Sequence, residues 1–420
     1  MLSAWGIMAG LTLLALSLGL QASLLGVRAG IEGFSTEVTG LIMSGYPVGL
    51  IAGIAIVPKL LPRMGHGPLF AVLTSLATCA LLAQASFAHP AIWGAMRVVV
   101  GFGFGGLLMI AEHWLSDHAP GAARARLLPV YLTVGHTSLL LGQALLLLGN
   151  AAGFQLFSLA AVITSLALVP ILASARRTPK DTPLIHIGLW HLFRGSPLAA
   201  VTALGSGSAF GAVFWMGGLY GRVVQISDLD VCLLLGSFLG GGVLLQWPVL
   251  RLSRRLNRRG VIATLSFAAA IASFGAVFVA LFLEDVPGWA SFSKPSFFIA
   301  IALIGGLSQS LAALAIGHAI DRFGSSETCA VGGSLTLLFL IGSGLGPFGA
   351  GFMMSPRLIG HNGLFLFLTL VHLALATYTL YRMARREGLP AEDQGPAPPT
   401  GPSASPMALG MAVQALRISR

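Results

Sequence analysis

Twelve stretches of apolar residues, each about the roughly 20 residues needed to cross a bilayer, constrain this chain more than anything else in it. They fall near 3–27, 37–57, 68–88, 92–115, 128–149, 153–174, 198–220, 229–250, 261–283, 296–320, 329–353 and 363–383. Backbone N–H and C=O groups cannot be left unpaired in hydrocarbon, so each stretch is expected to be a spanning helix. Composition agrees: 55% of the 420 residues are hydrophobic, 9% are charged and the mean hydropathy is +0.86. A soluble domain carries about 25% charged residues. The first stretch is too long for a signal peptide and lacks its basic start and small-residue cleavage site, so it is expected to stay as a span. Cys79, Cys232 and Cys329 all lie in apolar stretches and give no disulfide or metal framework, and no cofactor is implied.

The chain repeats itself. Ser35 to His66 and Ser227 to Arg258 align without a gap at an offset of 192: Leu41 on Leu233, Gly49 on Gly241, Val57 on Val249 and Arg63 on Arg255. The register extends one stretch back, with Gly19 on Gly211 and Gly26 on Gly218. Each copy is an apolar stretch followed by a short basic turn. An internal repeat of this kind implies two similar bundles with a site between them. The expected fold is therefore all-α, with twelve transmembrane helices in two pseudo-symmetric six-helix bundles.

Basic residues orient the chain. With the N-terminus placed in the cytoplasm, nineteen Lys and Arg fall in the inner loops and tail. The outer loops hold four, Arg28, Arg222, Lys294 and Arg357, and Arg97 stays inside a span. This bias puts both termini in the cytoplasm, as expected of a multi-pass protein of the cell inner membrane. It also accounts for the net charge of +10 through anionic lipids, without nucleic acid. Residues 1–174 form the first half, 175–196 a polar, basic connector broken by Pro179 and Pro183, and 197–383 the second half. Within the connector, 183–194 suits a surface helix with Leu184, Ile187, Leu189 and Trp190 toward the bilayer. Residues 384–420 are Pro-, Ala- and Gly-rich and read as a disordered cytoplasmic tail.

Twelve spans in two halves, a basic turn after the second and eighth, and an arginine early in the fourth resemble a major facilitator superfamily transporter. The phrases QWPVLRLSRRLNRR (246–259) and EHWLSDHAPGAARARLLPVY (112–131) are most similar to its YcaD-like branch. In that superfamily the turn after the second span reads Gly-x-x-x-Asp-Arg-x-Gly-Arg-Arg. Pro58, Pro62, Arg63, Gly65 and His66 fall on this pattern, and only Arg63 and Gly65 match it. In the second copy Leu250, Arg254, Arg255, Asn257, Arg258 and Arg259 fall there, with Arg254 at the acidic position. Both copies lack the acid that helps lock the superfamily's inner gate. The resemblance implies secondary transport of a small solute by alternating access, with protons among the coupling ions used and a monomer expected.

The fourth span carries Arg97, Gly101, Gly105, Leu108 and Glu112 on one stripe. A buried arginine costs at least about 2.5–3.5 kcal/mol unless it meets water or a partner. Two roles fit Arg97: it lines the path and binds an anionic group or helps couple protons, as the resemblance implies, or it bonds structurally to neighbouring carbonyls. Gly101, Gly103, Gly105 and Gly106 lie mid-span without a preceding strand and suit close helix packing, not a nucleotide loop. On the fifth span His136, Gln143 and Asn150 are spaced by seven, one polar face on a leucine-rich helix. They line the path or bond to adjacent helices. The Gly- and Pro-rich signature expected here of proton-antiporting drug exporters is absent. On the tenth span His318 and Asp321 are an i, i+3 pair suited to a gate or to proton coupling, and Gln309 lies on the opposite face. Ser206, Ser208, Phe214 and Trp215 on the seventh span are further contact candidates, with no diagnostic spacing.

Two rival functions compete with transport. Glu112, His113, Asp117 and His118 crowd one helix end, and His113 and Asp117 at i, i+4 can share a metal; no second ligand group accompanies them, and an enzyme is not expected. A non-transporting membrane sensor or scaffold is the stronger rival, but it has no need of polar stripes inside both halves. The topology is directly testable: reporter fusions after Arg177 and after Arg386 should both report cytoplasm, and a signal from the outer side at either point breaks the twelve-span scheme.

Overall fold

The computed structural model describes residues 2–117, 122–174, 189–284, 293–323, 328–385, 390 and 394–395. Among them every regular element is helical. The first half holds α1 (Leu2–Ile31), α2 (Thr36–Met64), α3 (His66–Ser86), α4 (Pro90–Asp117), α5 (Ala122–Ala144), α6 (Gln155–Leu166) and α7 (Leu168–Ser174). A short α8 (Leu189–Gly195) precedes the second half, α9 (Pro197–Val223), α10 (Asp228–Leu252), α11 (Arg258–Glu284), α12 (Ser293–Phe323), α13 (Thr328–Met353) and α14 (Gly363–Arg385). They provide twelve spans, α6 and α7 sharing the sixth.

The 192-residue offset recurs in the local structure. Ser35 and Ser227 are equivalent N-caps: Ser35 Oγ accepts from the Val38 N–H at 3.3 Å, and Ser227 Oγ from the Asp230 N–H at 3.2 Å. Each satisfies a backbone donor that a helix start leaves open. The offset recurs in packing too. Gly49 on α2 lies so close to α4 that a Cβ there would stand 2.8 Å from Phe102 N. Its equivalent, Gly241 on α10, would place one 2.8 Å from Ala302 Cα of α12. Gly19 of α1 meets the backbone of α5, and Gly211 of α9 meets that of α13. Small residues let helix backbones approach in lipid, where apolar faces gain little by leaving the lipid for each other.

The halves meet through the same glycines. Gly26 of α1 faces Gly218 of α9, its equivalent in the repeat; a Cβ on either would come within 2.6 Å of the other helix's backbone. Gly40 of α2 lies against Gly351 of α13, and Ser44 Oγ donates to Gly344 O at 2.6 Å. Cys232 Sγ on α10 donates to Gln143 O at the end of α5, 3.2 Å away. All these contacts lie in the part of the bundle remote from the start of α1 and the end of α14. The two bundles are thus closed against each other at the far face, and a cavity between them lies toward the face of the chain ends.

Four expectations change. The fifth helix stops at Ala144; Leu145–Leu148 tighten into a 3-10 turn. Asn150 accepts from the Ala152 N–H at 2.8 Å as a turn residue, so it leaves the His136–Gln143 face. The sixth span is two helices, because Pro170 has no N–H to continue the ladder one turn back. The tail is not uniformly loose. Gln394 Oε1 accepts from the Arg258 N–H at 3.1 Å, and the Gly395 N–H donates to Asp321 Oδ1 at 3.0 Å. In α8 Trp190 is exposed, but Leu192 is buried and Leu189 packs with it against α9, α12 and α13; Leu184 and Ile187 lie outside the described residues.

Overpacking a tight contact costs about 1–3 kcal/mol, whereas replacing Gly by Ala in an unobstructed helix gains about 1 kcal/mol. Gly49→Ala and Gly241→Ala should therefore each lower the midpoint of unfolding in detergent. Gly240→Ala, which has open space around it, should leave the midpoint unchanged or raise it. Equal behaviour of all three would refute the backbone-contact account.

Candidate functional site

A cavity lies between the halves; the space within it, its open mouth included, is about 660 Å³. Leu18, Tyr46, Pro47, Leu50, Ile54, Gly105, Leu108 and Leu139 line it from the first half. Phe210, Phe214, Trp215, Phe339, Leu340 and Ser343 line it from the second. Six helices contribute, because α1, α2, α4 and α5 face α9 and α13 across the bundle interface. The lining is apolar and aromatic apart from the hydroxyls of Tyr46 and Ser343.

Arg97 lies directly behind two residues of this lining, Tyr46 and Trp215. It is fully buried, two turns into α4. Its guanidinium carbon stands 4.7 Å from the Tyr46 ring centre and 4.3 Å from that of Trp215. Cation–π contacts with desolvated rings contribute about 2 kcal/mol each at best, so two of them offset much of the burial cost. Tyr46 belongs to the first half and Trp215 to the second, so the cation is clamped across the interface. The two rings also touch, 4.8 Å centre to centre.

One edge of Arg97 is tethered. Nη1 donates to Gln21 Oε1 at 3.4 Å, Gln21 Nε2 donates to Ser17 Oγ at 3.2 Å, and Ser17 and Thr164 hydroxyls lie 2.7 Å apart. This chain runs from α4 through α1 to α6 and holds the guanidinium by its Nη1 side. Nε and Nη2, the opposite edge, have no hydrogen-bond partner, and neither has Tyr46 Oη. No carboxylate forms an ion pair with Arg97 among the described residues. A structural arginine would spend its donors on neighbouring carbonyls; this one leaves a two-donor edge open.

The other candidates divide. Glu112 is buried at the other end of α4 and accepts from Tyr131 Oη at 2.5 Å. A small side cavity touches Tyr131, and Leu108 lines both it and the central cavity. His136 Nδ1 lies 2.8 Å from Leu132 O and is buried within α5. Gln143 is buried at the interface with both side-chain polar atoms unpaired. Gln309 is taken up in packing: its Nε2 donates to Phe238 O of α10 at 3.1 Å. His318 is buried near the terminal face, and Asp321 is engaged by the buried Arg258 and the Gly395 N–H. Arg258 also donates to Gly395 O.

In the gate turns Arg63, Arg254 and Arg255 are exposed, while Arg258 and Arg259 are buried. Gly65 joins α2 to α3 at φ +77°, a conformation that favours glycine. Its repeat equivalent Asn257 solves the same junction differently, its Oδ1 accepting from the Arg259 N–H at 3.0 Å. Gly101 and Gly105 press on the backbone of α2, which is the packing role expected of them. His113 Nδ1 lies 3.2 Å from Met109 O; the Asp117 and His118 side chains lie outside the described residues. Sequence reasoning missed Gln21, Tyr46 and Tyr131; of its four seventh-span candidates, Phe214 and Trp215 line the cavity. A polar residue inside an apolar first span was the available signal for Gln21.

The chain is 22% identical over 352 residues to the MFS-type transporter YcaD of Escherichia fergusonii, covering 81% of this chain and 86% of that one. A YcaD of Escherichia coli O139:H28 is also 22% identical, over 346 residues, with the same coverage. Solved structures with the same fold include the nucleoside transporter NupG, with TM-score 0.75, 12% identity, and 91% and 99% of the two chains covered. The D-xylose-proton symporter gives TM-score 0.69 at 12% identity, covering 93% and 99%. The pattern of the Major Facilitator Superfamily matches residues 1–293, and the chain belongs to that transporter family.

Proposed function

We propose that this protein is a secondary active transporter that moves a small solute by alternating access, as a monomer in the cell inner membrane with both termini in the cytoplasm. The observation that carries this reading is the clamp on Arg97. The halves touch at the far face through equivalent glycines and through a cation–π contact between Arg97 of one half and Trp215 of the other. The cavity lies immediately on the terminal side of that clamp. Rocking the halves would release Trp215 from Arg97 and open the same cavity to the far face. In this orientation the present arrangement faces the cytoplasm. A sensor or scaffold has no use for a cavity that ends on a clamp between its two halves.

Alternation is measurable without knowing the solute. With Cys79, Cys232 and Cys329 replaced by Ser, spin labels at Val38→Cys and Leu358→Cys report the far face, and labels at Met64→Cys and Leu256→Cys the terminal face. Each pair should show two distance populations that shift in opposite senses with conditions. A single invariant population at both faces would favour the scaffold reading.

Coupling to protons is assigned to Glu112. It is a buried carboxylate whose tyrosine partner borders a side cavity, and Leu108 joins that cavity to the central one. His136 and the His318–Asp321 region are the remaining candidates. Glu112→Gln should abolish accumulation driven by an imposed pH gradient in proteoliposomes while leaving solute counterflow intact. Loss of both would make Glu112 structural, and retention of both would remove it from coupling.

A further inference from the structure

We infer that the central cavity takes an amphipathic organic anion: one carboxylate, or a group of the same charge and shape, on an apolar or aromatic body. The inference rests on the reading of this cavity as the transport site, and it adds the class of solute. Three observations carry it.

The first is the unused edge of Arg97. Nε and Nη2 lie on the same side of the guanidinium, and together they form the fork that receives two oxygens of one carboxylate. Both are buried without a hydrogen-bond partner, while Nη1 on the other side is tied to Gln21. The tether through Gln21, Ser17 and Thr164 fixes which edge stays open. Tyr46 Oη, buried and unpartnered beside it, is a third donor at the same end of the cavity.

The second is charge. No acidic side chain lines the cavity, and Arg97 has no ion-pair partner among the described residues. Glu112 is bonded to Tyr131 near the other end of α4, and Asp321 is engaged by Arg258 near the terminal face. A solute that brings one negative charge completes the site. A cationic solute would meet an uncompensated guanidinium.

The third is the character of the walls. Leu50, Phe210, Phe214, Trp215 and Phe339 present hydrocarbon and ring faces, and Ser343 is one of only two hydroxyl-bearing residues in the lining. A sugar or other polyol would lose its water here without recovering its hydrogen bonds, whereas a ring or a short hydrocarbon body loses nothing. Trp215 serves both parts of the solute. Its ring lines the apolar cavity and also covers Arg97, so an anion seated on the fork would neutralise the charge that closure must bury. The charged end of the solute thus favours closing the far face behind it.

The test uses the purified full-length protein in nanodiscs and three matched probes: 2-naphthylacetate, 2-naphthylacetamide and 2-(2-naphthyl)ethylamine. Binding is read by calorimetry and by the shift in melting temperature. The carboxylate should bind saturably, about tenfold or more tighter than the amide, and the amine should not bind. Arg97→Gln should erase the preference for carboxylate over amide. Arg97→Lys, which keeps the charge but loses the fork, should lose about tenfold toward the carboxylate while retaining the wild-type melting temperature. Trp215→Ala should weaken carboxylate and amide alike. Equal binding of amide and carboxylate, a persisting preference in Arg97→Gln and Arg97→Lys, or no binding of 2-naphthylacetate to the folded protein would each overturn the inference. The spin-label distances separate this from the function itself. Two alternating populations with no anion preference would leave the transporter standing without this solute class. Anion binding with invariant distances would leave the site standing without transport.

Discussion

Close approach of helix backbones at glycine is the contact on which the rest of this structure depends. In a bilayer two apolar helices gain little by exchanging lipid for each other, so association relies on packing at short range and on the few available hydrogen bonds. Gly49 and Gly241 let α2 and α10 settle onto α4 and α12, and Gly26 and Gly218 let α1 and α9 meet across the molecular interface. The contacts within each half hold it as a unit. The glycine contacts between halves, Gly26 with Gly218 and Gly40 with Gly351, lie at the far face. A half that slid freely over its own helices could not carry a site intact from one side to the other.

Arg97 turns that geometry into chemistry. A guanidinium in hydrocarbon needs its charge offset, and the protein offsets part of it with aromatic faces and one amide while leaving two donors unused. Because one of the rings belongs to the other half, the cost of burying the charge depends on whether the halves are closed. On the transport reading proposed above, the cation would couple closure to binding. A carboxylate partner on α4 itself would have satisfied Arg97 in both conformations and removed that dependence.

The fold was readable because its signals are redundant. The spans announce themselves by length and polarity, and Gly26 and Gly218, aligned by the 192-residue register, meet in the structure. The register also shows where it ends. Contacts on α12 and α13 follow an offset of 204, Val98 and Leu139 corresponding to Ala302 and Ser343, because the second half inserts chain between α11 and α12. At the site only Arg97 and Glu112 stood out, since a charge inside a span is rare. Their partners did not. Tyr46 and Tyr131 look like any other aromatic in an apolar helix until the bundle brings them alongside a charge, and Trp215, a contact candidate, gave no sign that it would cover Arg97. The stripe through Asn150 failed because seven-residue spacing marks one face only while the helix lasts, and α5 gives way to a 3-10 turn before Gly149 and Asn150.

The gate turns show how a missing residue is replaced in space. Both basic turns lack the acid their family pattern carries, yet Arg258 is not left alone: Asp321 reaches it from the end of α12. A buried arginine paired in this way still has donors to satisfy, and one is taken by Gly395 O from beyond the last span. Gln394 meanwhile caps the backbone at the start of α11, and the Gly395 N–H returns to Asp321. Removing either charge would strand the other out of water, so the pair and the tail contact form one unit. That unit binds α11, α12 and the tail together within the second half. The exposed Arg63 lies on the first half's turn, and among the described residues no such arrangement is built around it. The terminal faces of the two halves are therefore not equivalent, although the spans behind them are. The pseudo-two-fold relation that shapes the cavity thus does not extend to the turns at the terminal face.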